Sequence, residues 1–136
     1  LISALLPAMV GRGRGDVVVV TSDVVTNPRP SMAAYVTSKW GLEGYVRALQ
    51  METEGTGVRV GIVRPGPTLT EMGWDWDMAR TRTAMDEWSR WGLLRHDSYM
   101  RPTAVAQAVA AVIAMPRGAA ITSLEVHPEA PPNGEG

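Results

Sequence analysis

Tyr35 and Lys39 stand four residues apart in the stretch SMAAYVTSKWGLEGYVRAL, residues 31–49. On a helix, positions i and i+4 share a face, so this spacing sets a phenol beside an ammonium. A free phenol, with a pKa of about 10, exchanges protons poorly at neutral pH. A cation about 4 Å away, at an effective dielectric of about 20, favours the phenolate by up to about 4 kcal/mol. That is about three pKa units before the cost of desolvation is subtracted. Such a pair makes a general acid/base near neutral pH. Taken alone, a Tyr-x-x-x-Lys spacing is mostly structural, so the case rests on its surroundings.

The surroundings supply two more elements. Ser22 lies thirteen residues before Tyr35, directly after the β-branched run VVVVT at residues 17–21. Strand ends are where open α/β sheets place ligands, and a hydroxyl there can hydrogen-bond a carbonyl or alkoxide oxygen. A second apolar run, VRVGIV at residues 58–63, is followed by Pro65 and Gly66, with Thr70 four residues beyond the glycine. Each feature is weak by itself; their order on successive elements is more specific.

The elements that must position these residues follow from periodicity and breakers. Residues 1–10 read as the end of an amphipathic helix, with Ile2, Leu5, Leu6 and Met9 at three- and four-residue spacing. GRGRG at residues 11–15 breaks it, and residues 17–21 read as a strand buried on both faces. Ser31 is expected to cap a helix over residues 32–54, whose buried side is formed largely by Trp40, Leu42, Val46 and Leu49. Residues 58–63 form the second strand. Residues 71–101, with Trp74, Trp76, Trp88 and Trp91, read as an inserted lid of one or two helices. Trp74 with Met78, and Ala84 with Trp88, have i, i+4 spacing that suits packing of lid on body or the wall of an apolar pocket. A helix capped near Thr103 and closed by Pro116 and Gly118 precedes a third strand over residues 119–126. The alternation predicts an α/β fold with a parallel sheet. A strand as apolar as residues 17–21 belongs mid-sheet, yet only one neighbour is at hand; its other edge would be flat and apolar.

Composition narrows the partners. With 13 basic and 14 acidic residues, the net charge of -1 gives no electrostatic reason to expect nucleic acid or an anionic membrane. There is no cysteine, which excludes disulfides and thiolate metal sites. His96 and His127 have no ligand-like spacing, and Asp75, Asp77, Asp86 and Glu87 read as a solvated face, so no metal site is expected. No run approaches the ~18 apolar residues of a membrane span. The apolar opening, LISALLPAMV, lacks a cationic flank and contains Pro7, which makes a poor signal peptide; a cytoplasmic location is expected.

The stretch from about Leu5 to Met72 resembles the second half of a short-chain dehydrogenase/reductase, in VVVVTS with Ser22, YVTSK with Tyr35 and Lys39, and RPGPTLT with Pro65, Gly66 and Thr70. The likeness continues more loosely to about Val126. It implies an incomplete Rossmann-like doubly wound parallel sheet, its last three strands and flanking helices. Residues 1–126 would be the C-terminal portion of the domain, residues 71–101 its substrate lid and residues 127–136 a flexible tail. It implies a catalytic trio, with Tyr35 as proton donor or acceptor, Lys39 lowering the phenol's pKa and holding the nicotinamide ribose, and Ser22 orienting the substrate oxygen. Tyr35, Lys39, Pro65, Gly66, Thr68 and Thr70 would contact NAD or NADP. The substrate would be a small-molecule alcohol or carbonyl compound, and the intact family is expected to form homo-oligomers through its long helix. The same Tyr–Lys arrangement serves epimerases and dehydratases in related proteins, while the compact YVTSK context looks more like the reductase branch.

One part of that machinery has no counterpart here. The family cradles the pyrophosphate in a glycine-rich turn that follows a strand and opens a helix. GRGRG instead follows a helix and opens a strand, so it reads as a connecting turn with Arg12 and Arg14 in solvent. The start at Leu1, inside an apolar pattern, is that expected of a truncated chain. The resulting expectation is an oxidoreductase by descent that binds dinucleotide weakly or not at all by itself. The alternative expectation is an inactive remnant that pairs with an intact relative.

Overall fold

The structure, a computed structural model, describes residues 1–72 and 75–132 of the chain. Helix α1 (Ile2–Gly11) leads into strand β1 (Gly15–Val20). A 3₁₀ turn at Asp23–Val25 precedes the long helix α2 (Ala33–Glu52), which returns to strand β2 (Val58–Pro65). Helix α3 (Met78–Arg90), helix α4 (Pro102–Ala114) and strand β3 (Ser123–Val126) complete the order. The three strands pair in parallel in the order β1-β2-β3, with Val17 opposite Val60, Val19 opposite Ile62 and Val63 opposite Leu124.

Side-chain alternation along the strands builds a layer on each face. Val58, Val60 and Ile62 of β2 face Val46 and Leu49 of α2, with Val17 and Val19 of β1 and Ile2, Leu6 and Met9 of α1 against the same cluster. Val63 and Val18 face the opposite way, onto Ala108 and Val112 of α4, with Ile121, Leu124 and Val126 alongside. Helices α1 and α2 thus cover one face and α4 the other, as in doubly wound α/β folds. Gly61 lets α4 approach: a Cβ there would lie 2.8 Å from both Val112 Cγ1 and the Ile121 carbonyl oxygen.

Several expectations need correction. The strand buried on both faces is β2, not β1, whose Val17, Val18 and Val19 are half-buried and whose Val20 is exposed. The cause is position: β2 has a neighbour on each side, while β1 is an edge of the sheet among the described residues. Trp40 is 52% exposed rather than buried, because the inward stripe of α2 runs through Glu43, Val46 and Leu49 and Trp40 falls off it. Ser31 does not cap α2. It sits at φ 65, the N-cap is Met32, and no side chain bonds the first turn. Helix α4 starts, as expected, near Thr103: Pro102 follows the N-cap Arg101, a position where the missing N–H of proline costs nothing.

Among the described residues, the segment between β2 and α4 holds one helix, α3, capped by the Asp77 carboxylate accepting from the Arg80 amide at 2.8 Å. Asp77, placed on a solvated face above, is therefore the cap of that helix. Trp74 lies outside the described residues, and so does its pairing with Met78. GRGRG joins α1 to β1 as a turn, with Arg12 and Arg14 exposed. Among the described residues no helix is long and apolar enough to cross a membrane, and no three potential metal ligands gather. Residues 127–132 carry no helix or strand.

Candidate active site

The carboxyl ends of β1 and β2 open onto one cavity of about 1320 Å³. Ser22, Tyr35, Pro65, Gly66, Thr68 and Thr70 all line it. Lys39 is not on that wall; its Nζ lies 5.5 Å from the centroid of the Tyr35 ring. Both side chains are half-buried, Tyr35 in the first turn of α2 and Lys39 one turn further on.

Ser22 follows β1 immediately, with an extended backbone that turns the chain into the 3₁₀ segment. Its Oγ accepts from the Val24 amide at 3.4 Å and donates to Asp23 Oδ1 at 3.3 Å. The hydroxyl is thereby held at the strand end rather than free to rotate. Asp23 in turn pairs with the Arg29 guanidinium through both of its oxygens. The Arg29 side chain is nearly buried, and its Nε finds no hydrogen-bond partner among the described residues. The Trp88 ring lies 5.8 Å from the Arg29 guanidinium carbon, and Trp88 Nε1 donates to the Pro30 carbonyl at 2.9 Å. These contacts fasten α3 over the loop that carries Ser22, and Trp88 also lines the cavity.

The loop after β2 is anchored at both flanks. The Gly66 amide donates to the Val126 carbonyl at 2.8 Å, and a Cβ on Gly66 would meet His127 Nδ1 at 2.6 Å. A side chain at that position would have to push the exposed His127 ring aside. The Leu69 amide donates to the Met100 carbonyl at 2.9 Å, and the Met100 amide to the Pro67 carbonyl at 3.0 Å. Thr68 Oγ1 donates to the Gly66 carbonyl at 2.9 Å, which commits its proton to the loop itself. Thr70 Oγ1 accepts from the Met72 amide at 3.3 Å, so its own proton can point elsewhere.

Beneath the cavity lies a polar cluster that pattern reading missed. Glu43 of α2 is 0% exposed. It accepts from Thr21 Oγ1 at 3.0 Å and from Arg64 Nε and Nη2 at 2.6 and 2.7 Å. Burial pushes the Glu43 carboxyl up, but hydrogen bonds from Arg64 and Thr21, with the charges of Arg64 and Arg47, outweigh it and hold the group below its ordinary value. Arg64 is raised, chiefly by its hydrogen bond to Glu43. A signal was present: Glu43 falls on the same helical stripe as Val46, and Arg64 on the same strand face as Ile62.

Comparison with known proteins agrees with the fold. The profile of the short chain dehydrogenase family matches residues 1–81. Glycine betaine reductase ATRR of Emericella nidulans is 28% identical over 131 residues, 96% of this chain and 10% of that protein. The oxidoreductase YbbO of Escherichia coli is 39% identical over 66 residues, 48% of this chain and 24% of that one. Among solved structures, the closed form of serine dehydrogenase complexed with NADP+ superposes with a TM-score of 0.73 at 25% identity, covering 91% of this chain and 48% of its own. An alcohol dehydrogenase from Thermococcus sibiricus complexed with 5-hydroxy-NADP superposes with a TM-score of 0.68 at 26% identity, covering 92% and 46%. The chain therefore spans about half of those solved structures and a quarter or less of those curated relatives. With 60% of its length, residues 1–81, inside the family profile and its fold that of family members, the chain belongs to the short chain dehydrogenase family.

Proposed function

We propose that the chain carries the proton-transfer and nicotinamide-facing half of an NAD(P)-dependent oxidoreductase that interconverts a hydroxyl and a carbonyl. The observation that carries this reading is the shared cavity: Ser22, Tyr35 and the loop from Pro65 to Thr70 on one wall, with Lys39 against the Tyr35 ring. In the direction of reduction, the Tyr35 hydroxyl donates to the substrate oxygen, and Ser22 joins it by turning its proton from Asp23 Oδ1 to that oxygen. Tyr35 gives its proton to that oxygen as negative charge develops on it, and the Lys39 ammonium steadies the phenolate left behind. Water then returns the proton to Tyr35. In oxidation Tyr35, as the phenolate, takes the alcohol proton. A bound nicotinamide supplies or accepts the hydride.

The residues present fit the nicotinamide end of the cofactor. Thr70 offers a hydroxyl with an uncommitted proton, suited to a carboxamide, and Lys39 offers an ammonium to a ribose hydroxyl. They do not fit the pyrophosphate end. Among the described residues no glycine-rich turn follows a strand and opens a helix. We therefore expect the 136-residue chain alone to bind NAD or NADP weakly. The cavity wall beneath α3 is mixed, with Met32, Met85, Trp88 and Val105 beside Arg29, which suits a carbonyl compound with an apolar body.

The test is turnover of NADPH with a panel of aldehydes and ketones, comparing the chain with Tyr35→Phe. The substitution keeps the ring and removes the proton, so turnover falls by about 100-fold or more. Unchanged turnover excludes Tyr35 from the chemistry.

A further inference from the structure

We propose that Glu43, held by Arg64 and Thr21, is a positioning residue that sets the Tyr35–Lys39 helix against the strand ends bearing Ser22 and Pro65. The proposal rests on the acid/base reading of Tyr35 and goes beyond it. Each side chain that hydrogen-bonds the Glu43 carboxylate immediately precedes a site residue. Thr21 is the residue before Ser22, and Arg64 is the residue before Pro65. Glu43 itself stands one helical turn beyond Lys39 and two beyond Tyr35. One carboxylate thus joins three separate segments at the points where they enter the cavity wall.

The strand pattern explains how the three groups meet. Thr21 continues the face of β1 that carries Val17 and Val19, and Arg64 continues the face of β2 that carries Val60 and Ile62. Both faces look onto α2. Apolar contacts fill that interface along most of its length, and at its site end the filler becomes a fork of guanidinium on carboxylate. Apolar contacts tolerate sliding; a bidentate pair fixes distance and direction together. A buried ion pair is also a weak means of stabilisation, since apolar residues of similar volume often do as well. Its value here is therefore geometric. The outer charges are looser. Arg47 reaches Glu43 at 3.6 Å from an exposed position, and Glu125, which also holds His127 at 2.8 Å, lies 4.0 Å from Arg64 Nη1.

The experiment separates position from stability in the isotope-labelled 136-residue chain. Glu43→Met combined with Arg64→Leu removes both charges and refills the space. This pair variant is expected to melt close to the parent chain, yet to lose nuclear Overhauser contacts between α2 and the Asp23–Val25 turn that follows Ser22. A folded pair variant that keeps these contacts overturns the proposal. Thr21→Val asks the same question with the ion pair left in place. It is expected to weaken hydrogen-exchange protection of the Val24 amide, which bonds to Ser22 Oγ, while Thr21→Ser preserves it. Equal protection in all three chains overturns the proposal. These contacts are read without turnover, so the proposal and the acid/base reading can fail separately.

Discussion

At the scale of single residues, a carboxylate with no solvent exposure stays ionised only through its neighbours, and Glu43 shows which neighbours those are. Its carboxyl lies below the ordinary 4.5 in the folded chain and returns to the ordinary value on unfolding. The stability it contributes is therefore fully present above that unfolded value and is lost as pH falls through the lower, folded value. Glu43→Gln should flatten the acid side of the stability curve, read as melting temperature against pH below about 4.5. Acid limbs that superpose for the two chains would contradict the assignment. Ser22, Tyr35, Lys39 and the loop after β2 were legible in the sequence, because strand ends and an i, i+4 pair leave local marks. Glu43 and Arg64 were not read out. A charge inside an apolar stripe passes for a surface residue until the opposing element is known to carry its partner. Asp23 and Arg29 escaped for a similar reason, since their pairing is formed by a turn inside what reads as plain loop.

At the scale of elements, two glycines show how backbone approach decides what a substitution does. Gly57 opens β2 at φ 80, and a Cβ there would sit 2.0 Å from the Gly13 carbonyl oxygen. Gly57→Ala must move backbone, so we expect a loss of about 2 kcal/mol or more in urea unfolding. Gly44, on the open side of α2, has nothing within 4 Å of an added Cβ. Gly44→Ala should raise stability by about 0.5–1 kcal/mol. Equal effects at the two positions would show that the α1–β1 turn does not pack on the start of β2. The parallel order of helices and strands was legible from alternation alone. Which strand lies in the middle was not: four consecutive valines mark β1 as more apolar than β2, yet neighbours, not composition, decide burial. The N-cap of α2 was likewise misread, since Ser31 is turned into the left-handed region and cannot bond the first helical turn.

At the scale of the whole molecule, the proposed function assigns the chain a reaction centre and a nicotinamide-facing loop, while among its described residues no glycine-rich turn follows a strand and opens a helix. Dinucleotide affinity draws much of its strength from helix N-terminal amides on the pyrophosphate. NADP should therefore bind this chain no better than nicotinamide mononucleotide, and a micromolar dissociation constant for NADP would contradict that. The most direct check on the central claim, that the cavity lined by Ser22, Tyr35 and the Pro65–Thr70 loop, with Lys39 beside the Tyr35 ring, takes a nicotinamide ring, is an amide chemical-shift titration with nicotinamide mononucleotide at millimolar concentration. The account predicts perturbations concentrated at Ser22, Tyr35, Lys39, Gly66 and Thr70. Perturbations centred instead on the Arg12 and Arg14 turn, or none at those five residues, would contradict it.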